Sequence, residues 1–236
     1  MDDALTVAAL SMRTSMTQLQ TVSQNVANLE TPGFKGAVPA SVPFATTLRQ
    51  LQAPASVPLP AATVDLAPGA LRPTGRSLDA GLAGDGFFVV EAADGPAYTR
   101  AGAFRIDPAG RLVTAAGLPV LGEAGPIALS GPEASIDPSG TVWQGGKAMG
   151  RLRVVRFAPG TRFGKMADGL LRPAAAQAVA APAAAQVRGG HLEQSNVDAG
   201  TQMAQVMQVM RQYQSAQKVF QLYNDQLGSS ITQLAQ

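Results

Sequence analysis

The stretch TQMAQVMQVMRQYQSAQKVFQLYNDQLGSSITQLA, residues 201–235, carries the pattern that decides the fold. Val206, Tyr213, Phe220, Leu227 and Leu234 recur at a strict seven-residue interval, flanked by Met203, Met210 and Ile231. Such a repeat holds one apolar stripe on one side of a helix, the arrangement of a coiled-coil seam. The spacing predicts one helix over roughly 196–235, with Ser195 and Asp198 placed like the two members of a capping box. The other end of the chain answers it. Leu5, Met12, Leu19 and Val26 also repeat every seven residues, Ala9 and Met16 fill the companion position, and Ala8, Val22 and Leu29 widen the stripe. This second helix is expected from Asp2 to Leu29, capped by Asp2 or Asp3 and stopped by Thr31-Pro32-Gly33. Each stripe is the obvious partner of the other, so the two ends are expected to pair as an antiparallel coiled coil.

The remaining faces of both helices are nearly uncharged. Between Ala4 and Leu29 the only charge is Arg13, and beyond Thr201 there are only Arg211, Lys218 and Asp225. A water-facing helix usually displays Glu/Lys pairs four residues apart. Neutral, amide-rich faces suit packing against neighbouring copies, although a plain helical hairpin with a solvated Gln-rich surface would share the composition.

Inward from the helices the pattern changes. Residues 36–70 are rich in Ala, Pro, Val and Ser, without periodicity, and read as an extended connector. From 71 to 189 short apolar runs alternate with turn signals, as in an all-β domain. Phe87-Phe88-Val89-Val90 is the strongest run. Asp107-Pro108-Ala109-Gly110 and Asp137-Pro138-Ser139-Gly140 each follow an isoleucine and lead into a new strand. Proline presets the backbone of such a turn and glycine supplies its permissive position. The two turns fit a duplicated unit or simply convergent turn chemistry. The Ala-rich stretch 173–187 reads as a strand plus a loop returning to the C-terminal helix. The expected architecture is therefore α+β: a helical domain from 1–35 and 190–236, a connector over 36–70, and a central β-rich domain over 71–189.

Composition narrows the chemistry. The 236 residues contain no cysteine and one histidine, which removes thiol catalysis, Cys-ligated metals and His clusters. Net charge is +2, with 14% charged residues, too small a cationic surplus to attract nucleic acid. No window reaches the ~20 apolar residues of a membrane span, and the first basic residue is Arg13, so no cleavable secretory signal is expected. Gly81-x-x-Gly84-Asp85-Gly86 precedes a β run rather than opening a helix, so it reads as a turn and not a phosphate loop. His191 lacks partners for ligation or base catalysis, and the carboxylates form no acid–base pair. No catalytic, cofactor-binding or metal-ligating residues are expected. Lys147, Arg151, Arg153, Arg156, Arg162 and Lys165 form an acid-free basic stretch interleaved with Phe157 and Phe163. It reads as a charge-protected edge strand or a patch for an anionic partner. Trp143 reads as a core or turn-packing residue.

Three segments carry a resemblance. Ser23-Gln24-Asn25-Val26-Ala27-Asn28-Leu29-Glu30-Thr31-Pro32-Gly33-Phe34-Lys35 resembles the Asn-rich N-terminal motif of bacterial flagellar rod and hook proteins, with Gln24 where an Asn is usual. Gly84-Asp85-Gly86-Phe87-Phe88-Val89-Val90, followed by Tyr98-Thr99-Arg100-Ala101-Gly102-Ala103-Phe104 and Gly110-Arg111-Leu112-Val113-Thr114, is similar to that family's central β signature. Gly190-His191-Leu192-Glu193-Gln194-Ser195-Asn196-Val197-Asp198 resembles the segment that opens its C-terminal helix. The short middle domain and Leu71-Arg72-Pro73-Thr74-Gly75-Arg76-Ser77-Leu78-Asp79 favour the proximal-rod branch over the distal-rod branch.

The resemblance implies a non-enzymatic structural subunit that leaves the cell unfolded through the flagellar type III export apparatus, without a cleaved signal peptide. It implies assembly in the periplasmic rod of the basal body, with copies of itself and homologous rod proteins as partners. The terminal helices would form the inner layer of a helical tube and order on assembly, with the β region outside. A distal-rod or hook subunit is the near alternative, and a cell-wall-acting enzyme or a nucleic-acid-binding module the readings of a different class.

Overall fold

The computed structural model describes residues 2–39, 62–131, 133–158, 160–173, 178–180 and 186–234. The chain is α+β and forms two compact bodies: Met1–Ala27, Ala37–Thr63 and Asp198–Gln236 in one, Asn28–Gly36 and Val64–Val197 in the other. The expected domain limits at 35 and 190 fall inside the second body, and most of the expected connector lies outside the described residues.

The helical body is built from α1 (Asp2–Ala27) and α2 (Ala199–Leu234), which pack against each other. Heptad spacing is visible in what they bury. On α1 the buried line is Ala8, Ser15 and Val22, with Met12, Leu19 and Val26 half-buried beside it. On α2 it is Gln202, Val209 and Ala216, with Val206 and Tyr213 half-buried. Small side chains thus occupy the centre of the contact, where two helix axes approach most closely. The larger residues singled out by their spacing flank the line or face away. Met203 is 56% exposed, Met210 42%, Phe220 37% and Met16 61%. The side chains of Leu5, Leu227, Ile231 and Leu234, and of the expected caps Asp2 and Asp3, lie outside the described residues.

The cap of α2 falls three residues later than Ser195. The Thr201 backbone N–H donates to Asp198 Oδ1 at 2.8 Å, and the Thr201 hydroxyl adds a second bond at 2.7 Å. Hydrogen bonds from the Thr201 side chain and backbone hold the Asp198 pKa below its usual value. Ser195 instead accepts from the Val197 N–H at 3.3 Å, a local turn before the helix.

In the second body a six-stranded sheet runs, in spatial order, Phe163–Lys165, Leu171–Pro173, Gly95–Thr99, Phe87–Ala92, Val154–Phe157 and Ala178–Ala180. The apolar run at 87–90 is a strand buried on both faces. Phe88 and Val90 join one core with Phe104, Leu112, Val120 and Val142, while Phe87 and Val89 join another with Tyr98, Val155, Phe163 and Leu171. Alternation still operates, but water meets neither side.

Both Asp-Pro-x-Gly segments form hairpin turns with the same bonding. The Gly110 N–H donates to Asp107 C=O and the Gly140 N–H to Asp137 C=O, each at 2.9 Å. Trp143 packs on the second turn and donates from Nε1 to Asp137 Oδ2 at 2.9 Å. The basic stretch divides between two sheets. Lys147–Arg151 is an outer strand of a three-stranded sheet, whereas Val154–Phe157 is interior to the six-stranded one. Phe157 and Phe163 stack edge-on at 4.9 Å inside the second core's aromatic cluster.

Candidate functional site

Two strand pairings bring the third signature segment into the middle of the β body. His191–Glu193 pairs antiparallel with Leu71–Pro73, and Gln186–Gly189 pairs with Ala80–Ala83, which leads into the Gly84-Asp85-Gly86 turn. The chain then passes the segment that follows α1. The Gly33 N–H donates to Glu193 C=O at 2.7 Å, and the Asn196 N–H to Phe34 C=O at 3.4 Å. Gly33 has φ +69°, and a Cβ there would strike the backbone of Ala101 and Arg100. Only glycine lets the chain pass so close in that conformation.

At this crossing three charged side chains are enclosed. Glu193 Oε1 accepts from Lys35 Nζ at 2.6 Å and from the Gly69 N–H at 2.9 Å, and Oε2 accepts from Arg100 Nη1 at 3.1 Å. The three side chains are 1–2% exposed. Lys35 also donates to Ala67 C=O at 2.6 Å, and Arg100 donates to Gly84 C=O at 2.8 Å while lying 5.2 Å over the Phe87 ring. Burial pushes the Lys35 pKa down, against the opposing pull of Glu193. Buried charges persist when each is paired and hydrogen-bonded, as these are.

Asn196 completes the crossing. Its Oδ1 accepts from the Gly36 N–H at 2.7 Å, and its Nδ2 donates to the carbonyls of Asp65 and Ala67. Asn28 and Thr31 shape the turn after α1, the Thr31 hydroxyl donating to Asn28 Oδ1 at 3.1 Å. Within the helical body Asn25 performs a matching task. It exchanges bonds with the backbone of Ala37, at 2.8 and 2.9 Å, and donates to Gln202 Oε1 at 3.0 Å.

Lys35, Arg100 and Glu193 were not singled out by the sequence reading. A usable signal existed: each of the three signature segments includes one of them, in a chain with only 14% charged residues. His191, which drew attention instead, bonds through Nδ1 to the Gly189 C=O at the end of the preceding strand, at 2.9 Å.

The same body holds an open cleft of about 560 Å³, lined among others by Leu66, Phe87 and Phe157, with Asp85 and Arg156 exposed at its rim and Arg100 in its wall. Lys165 lies nearby in sequence but serves another contact, with Nζ 4.1 Å over the Phe34 ring, and burial pushes its pKa down to about 8.

The chain thus combines a body of two packed helices with a β body closed by a buried ionic lock. Residues 81–144 match the family described as the flagellar hook protein FlgE/F/G D1 domain, and residues 188–234 match the flagellar basal body rod FlgEFG protein C-terminal family. The chain is 35% identical to the flagellar basal-body rod protein FlgF of Escherichia coli, over 97% of this chain and 96% of that one. It is 31% identical to FlgF of Caulobacter vibrioides, over 93% and 92%, and 28% identical to FlgG of Bacillus subtilis, over 88% and 90%. The chain belongs to the flagellar basal-body rod protein family, with FlgF-like character and FlgG as the near alternative.

Proposed function

We propose that this chain is a structural subunit of the proximal part of the flagellar rod, packing with its own copies and with homologous rod proteins to transmit torque from motor to hook. The observation that carries the reading is the apolar surface left on α2. Met203, Met207, Met210, Val219, Phe220 and Leu222 are all 37% exposed or more on helices that carry almost no charge. Apolar surface of this kind on a charge-poor helix marks an interaction face.

In this reading α1 and α2 pair as an antiparallel coiled coil, which the Asn25–Gln202 bond between the end of one and the start of the other supports. The heptad residues from Leu5 to Val26 and from Met203 to Leu234 then form the seam of the assembly. Residues 1–35 and 190–236 act as the helical domain and 71–189 as the outer β domain. The subunit passes the flagellar type III export apparatus, keeps its N-terminus uncleaved, and takes its place in the periplasm. Neither described helix is apolar enough over its length to cross a membrane.

Phe220→Asp tests the reading. Incorporation into basal bodies and motility are expected to be lost while the β body stays folded; motile cells with the variant in their rods would refute the seam. A distal-rod position is the second reading, favoured by the near full-length likeness to FlgG. Rescue of a strain lacking FlgF, but not one lacking FlgG, is expected.

A further inference from the structure

The cleft in the β body and one face of α2 each combine apolar residues with one cation and one anion. The floor of the cleft is apolar, with Leu66, Phe87 and Phe157, and its rim carries one anion, Asp85, and one cation, Arg156. Neither rim charge enters an ion pair among the described residues. Behind the wall, the lock sets two cations against one anion. A carboxylate arriving on the Arg156 side meets a guanidinium that no acid pairs with among the described residues.

On α2, Lys218, Leu222 and Asp225 stand at i, i+4 and i+7 and so share one face. Leu222 is 69% exposed, with Val219 beside it at 51%, and Lys218 and Asp225 are exposed and unpaired among the described residues. Asp225 is the only acidic residue of that helix. The two charges bracket the apolar residues about 10 Å apart along the axis, at ~1.5 Å per residue. Elsewhere among the described residues, the exposed large hydrophobics lack this pairing with a free carboxylate.

We propose that the cleft receives the Lys218–Asp225 face of α2 from a second copy of this chain. Leu222 and Val219 lie against the floor formed by Leu66 and the packed rings of Phe87 and Phe157, Asp225 meets Arg156, and Lys218 meets Asp85. The inference rests on the structural-subunit reading above and adds to it a contact between the helical body of one copy and the β body of another. Matched opposite charges around an apolar centre fix register and partner rather than merely adding affinity.

The test places a photo-crosslinking p-benzoylphenylalanine at Ala158, on the cleft wall, in full-length chain isolated within basal bodies. Crosslinks are expected on residues 218–225 of another copy. Their yield is expected to fall about tenfold in Arg156→Asp or Asp225→Arg and to return when both changes are combined in one chain, the behaviour of a directly coupled charge pair. Crosslinks that map elsewhere, an absence of crosslinks in rods that contain the chain, or single charge reversals without effect would each overturn the contact. Absence of the unsubstituted chain from basal bodies would instead overturn the structural-subunit reading, and this inference with it.

Discussion

Lys35 Nζ lies 2.6 Å from Glu193 Oε1 although 158 positions separate the two residues, and both are enclosed. The pair, completed by Arg100, joins segments from the beginning, middle and end of the sequence. Removing its single anion leaves two enclosed cations without the ion-pair partner they share.

Glu193→Gln is therefore expected to destabilise the β body by about 3–5 kcal/mol, the usual cost of breaking a buried ion pair from one side. Urea unfolding of the purified protein, followed through Trp143 in the same body, measures it. A loss below about 1 kcal/mol, the range of surface pairs, would remove the lock from the account.

Gly33→Ala attacks the same crossing without touching a charge. The residue is held at φ +69°, and its new Cβ would meet the Ala101 and Arg100 backbone. The left-handed conformation alone costs a side chain about 1–2 kcal/mol, and the clash adds to it. Thermal unfolding is expected to show a loss larger than that figure; an unchanged midpoint would mean that the two segments separate freely.

Lys165 makes stability depend on alkaline pH. Burial pushes its pKa from the ordinary value of 10.5 down to about 8, so between those values the unfolded chain binds a proton that the folded chain has released. Stability contributed by this site rises with pH across that window and is lowest below it, where the buried amine must be charged. Lys165→Met is expected to flatten the slope between pH 8 and 10 in denaturant titrations. A slope unchanged by the substitution would assign the effect elsewhere, Lys35 being the other amine whose pKa burial lowers.

At the acid end, Asp137 governs the turn beside Trp143. Burial raises its pKa, but bonds from Ser139, Trp143 and Thr141 outweigh that and hold it at about 2, below the ordinary 3.8. Its contribution is complete above the unfolded value and is lost as pH falls through about 2. Trp143 fluorescence is expected to titrate with a midpoint near there, and Asp137→Asn to abolish the titration. A midpoint near 4 in the native protein would deny the bonds.

Local chemistry and the packing of the two end helices on each other were legible in the sequence, and the buried ionic lock was not. The Asp-Pro-x-Gly hairpins follow from residues within one turn, and the two helices from a repeat contained in each. Apolar size draws the eye to Met203 and Phe220, whereas the side chains enclosed where the two helices pack are the small ones, Ala8, Ser15 and Ala216. The two-sided burial of Phe87–Val90 shows as an apolar run, but only the sheet order assigns its faces to separate cores. Lys35, Arg100 and Glu193 each look like an ordinary surface charge until strand pairing brings them together.

The position of Glu193 also gives the fold a sense of completion. A chain is made from its N-terminus, so Lys35 and Arg100 exist long before residue 193 of 236 emerges. Until it does, their burial is opposed by their own charge, and the β body has reason to stay open. A product broken off before that point would have to bury two cations without the anion they share. Burying the two cations before that carboxylate is in place carries the same cost as removing it, about 3–5 kcal/mol.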